Sequence, residues 1–226
     1  MIPLRDSTRS RQRPAVTIIL IAVNLAIFLY EASLSPRELG VLINTFAIVP
    51  AHYLTPGRFG AAEVLTPLLA AIFLHGGWLH LIGNMWYLWV FGDNVEDRMG
   101  HLNYLFFYLL AGVIGNVAHI IADPFSRMPT IGASGAIAGV LGAYLVSFPR
   151  ARVLALIPIA IFITVAEVPA VIFIFLWFLL QLVNGVATLG VPTQATAGVA
   201  WWAHIGGFLT GVFLASIFSS RGRYRW

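Results

Sequence analysis

Six runs of about 20 mainly apolar residues constrain this chain more than any other feature. They cover roughly 15–33, 74–92, 103–122, 133–149, 168–187 and 201–219. A run of that length spans the hydrocarbon core as a helix, which satisfies its own backbone hydrogen bonds there. The expected fold is therefore an all-α polytopic membrane protein, a bundle of six transmembrane helices. With 59% apolar and only 10% charged residues, the chain lacks the polar surface of a water-soluble domain. Residues 1–14 read as an N-terminal tail, 15–219 as one domain and 220–226 as a C-terminal tail. The basic N-terminus resembles the start of a signal peptide. The apolar run from Ala15 to Tyr30 is long, however, and carries no small-residue cleavage pattern, so it reads as a retained first span. The mixed segment 34–73 reads as an ordered loop or a partly embedded element. Residues 151–167 read as an interfacial stretch, and 188–200 as an uncharged, turn-rich cap.

Charge sets the orientation. All 13 basic residues are arginine, and most flank apolar runs, so the net charge of +4 reads as membrane topology rather than nucleic-acid binding. With a cytoplasmic N-terminus, Arg5, Arg9, Arg11, Arg13, Arg98, Arg150, Arg152, Arg221, Arg223 and Arg225 lie inside. Only Arg37, Arg58 and Arg127 lie outside. Ten against three puts both termini in the cytoplasm. Cysteine is absent, which removes disulfides and a thiol nucleophile from consideration.

With that orientation, polar residues on three spans fall at one depth near the outer face. Ser134 opens the fourth span within GASGAIAG, His204 opens the sixth within WWAHIGG, and His80 and Asn84 lie near the outer end of the second. Polar side chains in membrane helices face the bundle interior or a wet cavity, so these should converge. Serine needs a base within hydrogen-bond reach to act as a nucleophile, and neutral histidine is the usual one. A serine among small residues is, taken alone, more often packing surface. Here packing serves the chemistry. Gly132, Gly135, Gly139 and Gly142 line one helical face, and Gly207 and Gly211 line another beside His204. Two such faces allow close backbone approach.

His80 and Asn84 are one turn apart and can both donate to an oxyanion, alongside the backbone N–H of Ser134. A metal site is disfavoured: His75 and His80 are five apart and point in different directions, and no H-E-x-x-H is present. Asp123 and Glu167 could complete a triad, but no motif ties either to His204, so a Ser–His dyad is expected.

These residues resemble the rhomboid family of intramembrane serine proteases. The matching motifs are HGGWLHLIGNMW (75–86), GDNVEDRMG (92–100), GASGA (132–136) and AHIGGFLTG (203–211), in the family's order across all six spans. The resemblance implies Ser134 as nucleophile and His204 as general base. It also implies an oxyanion hole of His80 and Asn84 beside the backbone of Ala133 and Ser134. His75, Gly132, Gly135, Gly207, Gly211, Glu96 and Arg98 then act as structural support, with Glu96–Arg98 open to the plainer reading of a solvated pair. Two departures stand out. Thr66–Pro67 occupies the place of a tryptophan–arginine pair that some members carry in the first loop. Ala138 replaces a tyrosine that can stack on the base; Trp201 and Trp202 are nearby rings. The implied activity is cleavage of other membrane proteins in or beside their transmembrane helices, without cofactor or metal. The lipid bilayer, in a bacterial plasma membrane, is the medium, and nucleic acid is not a partner. Entry of substrate is expected between spans two and five, with Trp177 and Phe178 as gate candidates or plain lipid-facing rings. The rivals are a catalytically inactive rhomboid-like protein that binds membrane clients, and a transporter. The transporter is disfavoured because only Glu167 could serve as a midplane coupling charge.

Overall fold

The computed structural model describes residues 1–54, 60–159, 162–188 and 199–219. Its helices follow the apolar runs: α1 (Ala15–Ser33), α4 (Trp78–Met99), α5 (His101–Ala122), α6 (Ser134–Ser147), α7 (Ala170–Ala187) and α8 (Trp201–Phe218). Two more, α2 (Pro36–Phe46) and α3 (Ala61–Ala70), lie within the 34–73 segment. By length and composition α1, α5, α7 and α8 can cross a membrane. Helix α3, the short 3-10 turn Ala71–Phe73 and α4 pass the same test together, bent by 78°, which brings the number of candidate spans to four or five.

The remaining apolar helix, α6, has 14 residues, and every one from Gly135 to Tyr144 is buried. Apolar on all sides, it belongs at the centre of the bundle. At roughly 21 Å it is shorter than the ~30 Å hydrocarbon core. Its Ser134 end is therefore recessed if its other end reaches the surface. Around it, Leu88, Phe91, Tyr104, Phe107, Tyr108 and Tyr144 form the largest part of the core, each fully enclosed.

The described residues of the 34–73 segment are ordered. Ser35 and Glu38 form a capping box at the start of α2. Asn116 of α5 donates to the Leu68 carbonyl at 2.9 Å, and Tyr53 donates to the Val64 carbonyl at 2.9 Å. Pro67 is buried inside α3. The loop is thus anchored without a tryptophan–arginine pair at 66–67.

Glu96 is not solvated. Its carboxylate is 1% exposed and accepts from the Val16 and Thr17 amides at 2.8 Å, the Thr17 hydroxyl at 2.7 Å and His101 Nδ1 at 2.6 Å. Helix α1 starts after Pro14 with no side-chain cap of its own. Glu96 supplies acceptors to its orphan first-turn donors, and a carboxylate suits that end of the helix dipole. Arg98 is partly buried in the last turn of α4, the end that favours a cation.

The all-α expectation needs correction. Strands β1 (Ile2–Asp6), β2 (Arg152–Ile159) and β3 (Phe162–Pro169) form one antiparallel sheet in the order β1-β2-β3. The 151–167 stretch is therefore largely a hairpin, and the expected tail 1–14 holds its third strand. Val153 and Ala155 alternate inward and are fully buried, while Arg152 faces out. Pro158 lies beyond the last residue of β2 that pairs with β1, where its missing N–H breaks no ladder on that side. Strand β1 runs alongside α4 in the same direction: the Trp86 indole donates to the Pro3 carbonyl, and Asn94 Nδ2 to Asp6 at 2.9 Å. Most of the expected cap (189–198) and the C-terminal tail (220–226) fall outside the described residues.

Candidate active site

Ser134 is the first residue of α6 and His204 lies in the first turn of α8. Ser134 Oγ and His204 Nε2 are 2.7 Å apart. What permits this approach is the absence of side chains where the two helices cross. A Cβ added at Gly207 would fall on the Gly135 carbonyl oxygen, and one at Gly211 on the Gly139 carbonyl oxygen. Gly135 in turn faces the Ala203 carbonyl. The two small-residue faces read from the sequence do meet. Gly132 is the exception, since it lies before α6 in the loop rather than on the helical face. Its φ of +132° suits glycine alone, and a Cβ there would sit 2.7 Å from His80 Nε2.

His80 Nδ1 faces the Gly76 amide at 3.4 Å, from which it accepts. In the neutral ring that leaves the proton on Nε2, on the side of Gly132 and Ser134. Asn84 is buried at 8% exposure, and its Nδ2 donates to His75 Nε2 at 3.1 Å. His75 is itself held through its amide by the Glu31 carboxylate, at 3.2 Å to the nearer oxygen. The His75 and His80 rings do not diverge as expected; they meet edge to face with centroids 5.1 Å apart. His75 therefore braces both side chains at this end of α4.

The second nitrogen of His204 has a partner that sequence reasoning missed. His204 Nδ1 and Gln181 Oε1 are 2.8 Å apart. Neither Asp123 nor Glu167 fills this position: Asp123 lines a neighbouring cavity, and Glu167 on β3 pairs with Arg152 at 3.3 Å. Nor does Ala138 leave the ring unsupported. Trp177 stacks on His204 with centroids 6.1 Å apart and planes 29° apart, and Trp201 meets it edge-on. Of the two gate candidates, Trp177 thus flanks His204, while Phe178 stacks on Phe208 of α8 at 4.4 Å. Neither is a plain lipid-facing ring. The signal for Gln181 was partial: it is one of two amides on the apolar span α7, and the other, Asn184, only back-bonds to the Leu180 carbonyl.

These groups surround a cavity of 620 Å³, lined by His80, Asn84, Tyr87, Ser134, Trp177 and His204 among others. A second cavity of 310 Å³ shares Gly76 and His80 with it and adds His119, Asp123 and Ser126. Polar side chains thus continue from the first cavity into the second. Among the described residues no cluster of metal-ligating side chains occurs.

The family model described as the Rhomboid domain matches residues 62–221. The chain belongs to the rhomboid family. Among rhomboid relatives, the mitochondrial presenilin-associated rhomboid-like protein of Mus musculus is 32% identical over 163 residues, 68% of this chain and 38% of that protein. Rhomboid protease GluP of Bacillus subtilis is 34% identical over 134 residues, 59% of this chain and 24% of its own. RHOMBOID-like protein 5 of Arabidopsis thaliana is 29% identical over 157 residues, 70% of this chain and 45% of its own. The chain therefore spans less than half the length of these rhomboid relatives.

Proposed function

We propose that this rhomboid is an intramembrane serine endopeptidase, cleaving peptide bonds in or beside transmembrane helices of other membrane proteins. The observation that carries the reading is the 2.7 Å contact between Ser134 Oγ and His204 Nε2 on the wall of a cavity. As Oγ attacks the scissile carbonyl, His204 Nε2 takes its proton and later passes it to the leaving amine. A water then cleaves the acyl-enzyme by the same route. The charge formed on the carbonyl oxygen needs fixed donors, and His80 Nε2–H, Asn84 Nδ2 and the first-turn N–H of Ser134 are the candidates. The name of the Bacillus subtilis relative, a rhomboid protease, supports the activity.

Reconstituted cleavage of a model transmembrane substrate tests this reading. Cleavage by the parent and not by Ser134→Ala is the expected result. Tight binding without cleavage by the parent would favour the client-binding alternative.

The oxyanion role makes a separate prediction. Asn84→Ala should lower kcat roughly 10²–10³-fold, with thermal stability and KM little changed. A fall in stability with activity tracking the folded fraction would reduce Asn84 to a brace for His75.

By this reading the protease domain covers 15–219 and is built on six spans, with residues 1–14, which supply β1 to its sheet, and 220–226 on the cytoplasmic side. The arginine count supports that orientation. Single cysteines introduced at Arg127 and Arg223 should label from opposite sides of the membrane; labelling from one side refutes the span count or the orientation.

A further inference from the structure

We propose that Gln181 of α7 is the positioning residue of the base, holding His204 in the tautomer that leaves Nε2 free to accept the Ser134 proton. This rests on the catalytic reading of Ser134 and His204 and adds a third member to it.

The amide's orientation follows from its second contact. Gln181 Nε2 donates to the Trp177 carbonyl one turn earlier at 3.0 Å. Flipping the amide would set its oxygen against that carbonyl and its N–H groups against His204. With Oε1 toward the ring, Gln181 offers Nδ1 only an acceptor, so Nδ1 carries the proton and Nε2 does not. Without Gln181 the proton could sit on Nε2 instead; the 2.7 Å contact would then run from Nε2–H to Oγ, and no lone pair would face the hydroxyl to take its proton. Both side chains are largely buried, at 6% for Gln181 and 8% for His204, at the edge of the cavity. Trp177 fixes the ring's plane, and Gln181 fixes where its proton sits.

The amide differs from a carboxylate in the same place. It orients the ring and accepts from the imidazolium formed during attack, but it supplies a dipole rather than a full charge. The tautomer is therefore set without an ion pair between α7 and α8.

Two variants and two readouts test this. Gln181→Met keeps the length of the side chain and removes the acceptor. It should lower kcat roughly 10–100-fold, with KM and thermal unfolding near parental. Gln181→Glu restores an acceptor and adds charge. It should recover activity over Gln181→Met and move the acid limb of the kcat/KM profile to higher pH, because a carboxylate favours the imidazolium. A Met variant with parental kcat, or a Glu variant whose acid limb matches the parent's, overturns the proposal. Nitrogen NMR of ¹⁵N-histidine protein, with His204 assigned by its loss in His204→Ala, reads the tautomer without catalysis. The proton should lie on Nδ1 in the parent and redistribute in Gln181→Met. That result can hold even if the chain proves to cleave nothing, so the two readings fail separately.

Discussion

Replacing His204 with alanine should lower kcat by roughly 10⁴-fold or more, and Ser134→Ala should do the same. The two groups act as one device. A serine hydroxyl without its base is a weak nucleophile, and the base without the hydroxyl has nothing to deprotonate in the first step. The double variant should therefore be no worse than either single one, because the losses do not add. Both substitutions remove atoms at the wall of a cavity rather than from the enclosed core, so unfolding temperatures should stay within a few degrees of the parent. Cleavage rates of a reconstituted transmembrane substrate, with unfolding measured on the same preparations, check all three expectations. Cleavage by either clean variant within tenfold of the parent would remove that residue from the mechanism.

The second large effect concerns stability. Gly211→Ala should destabilise the protein by about 3 kcal/mol or more, at the upper end of what overpacking costs. The new methyl would land on the Gly139 carbonyl oxygen and 2.9 Å from the Ala143 amide nitrogen. Both are backbone atoms in the buried part of α6, so neither can swing aside. Relief requires α6 and α8 to separate, and separation lengthens the contact between Ser134 and His204. Activity should thus fall further than the folded fraction alone explains. Gly40→Ala is the natural control. Gly40 lies in α2, where a Cβ would meet nothing within 4 Å, so alanine there should be neutral or slightly stabilising. Thermal unfolding in a common detergent compares the two, and a parental midpoint for Gly211→Ala would show that the interface yields.

Much of this arrangement was legible because the signals are strong and local. Apolar runs identify the helices, and Ser134, His204, His80 and Asn84 stand out as polar groups inside them. The two glycine faces could be paired by inspection. What escaped depended on a partner distant in sequence. Residues 151–167 are apolar with a proline, a pattern that periodicity alone does not assign between a buried strand and another embedded element. The strands pair with each other as neighbours in sequence, and β2 also pairs with β1, about 150 residues away, which no local pattern discloses. Glu96 looked like half of a surface ion pair because its acceptors serve an α1 terminus about 80 residues earlier. Gln181 belongs to no motif, and only the packing of α7 against α8 reveals which nitrogen it serves. Gly132 shares the spacing of the α6 glycines, yet it lies in the loop before that helix, with a positive φ that spacing does not disclose.

The pairing of β1 with β2 also has a meaning in time. A ribosome delivers β1 well before β2, the strand that completes its hydrogen bonds and that arrives only after α6; the Arg152 amide donates to the Ser7 hydroxyl across 145 residues. Until then the backbone of β1 must be served by water, which keeps this segment out of the hydrocarbon while the helices insert. The first turn of α1 waits too, for the carboxylate of Glu96. Closing so long a loop is slow and confers nothing until the later elements are in place. Strand β1 is therefore among the last of these elements to become structured, and its docking marks a bundle whose assembly has passed α6.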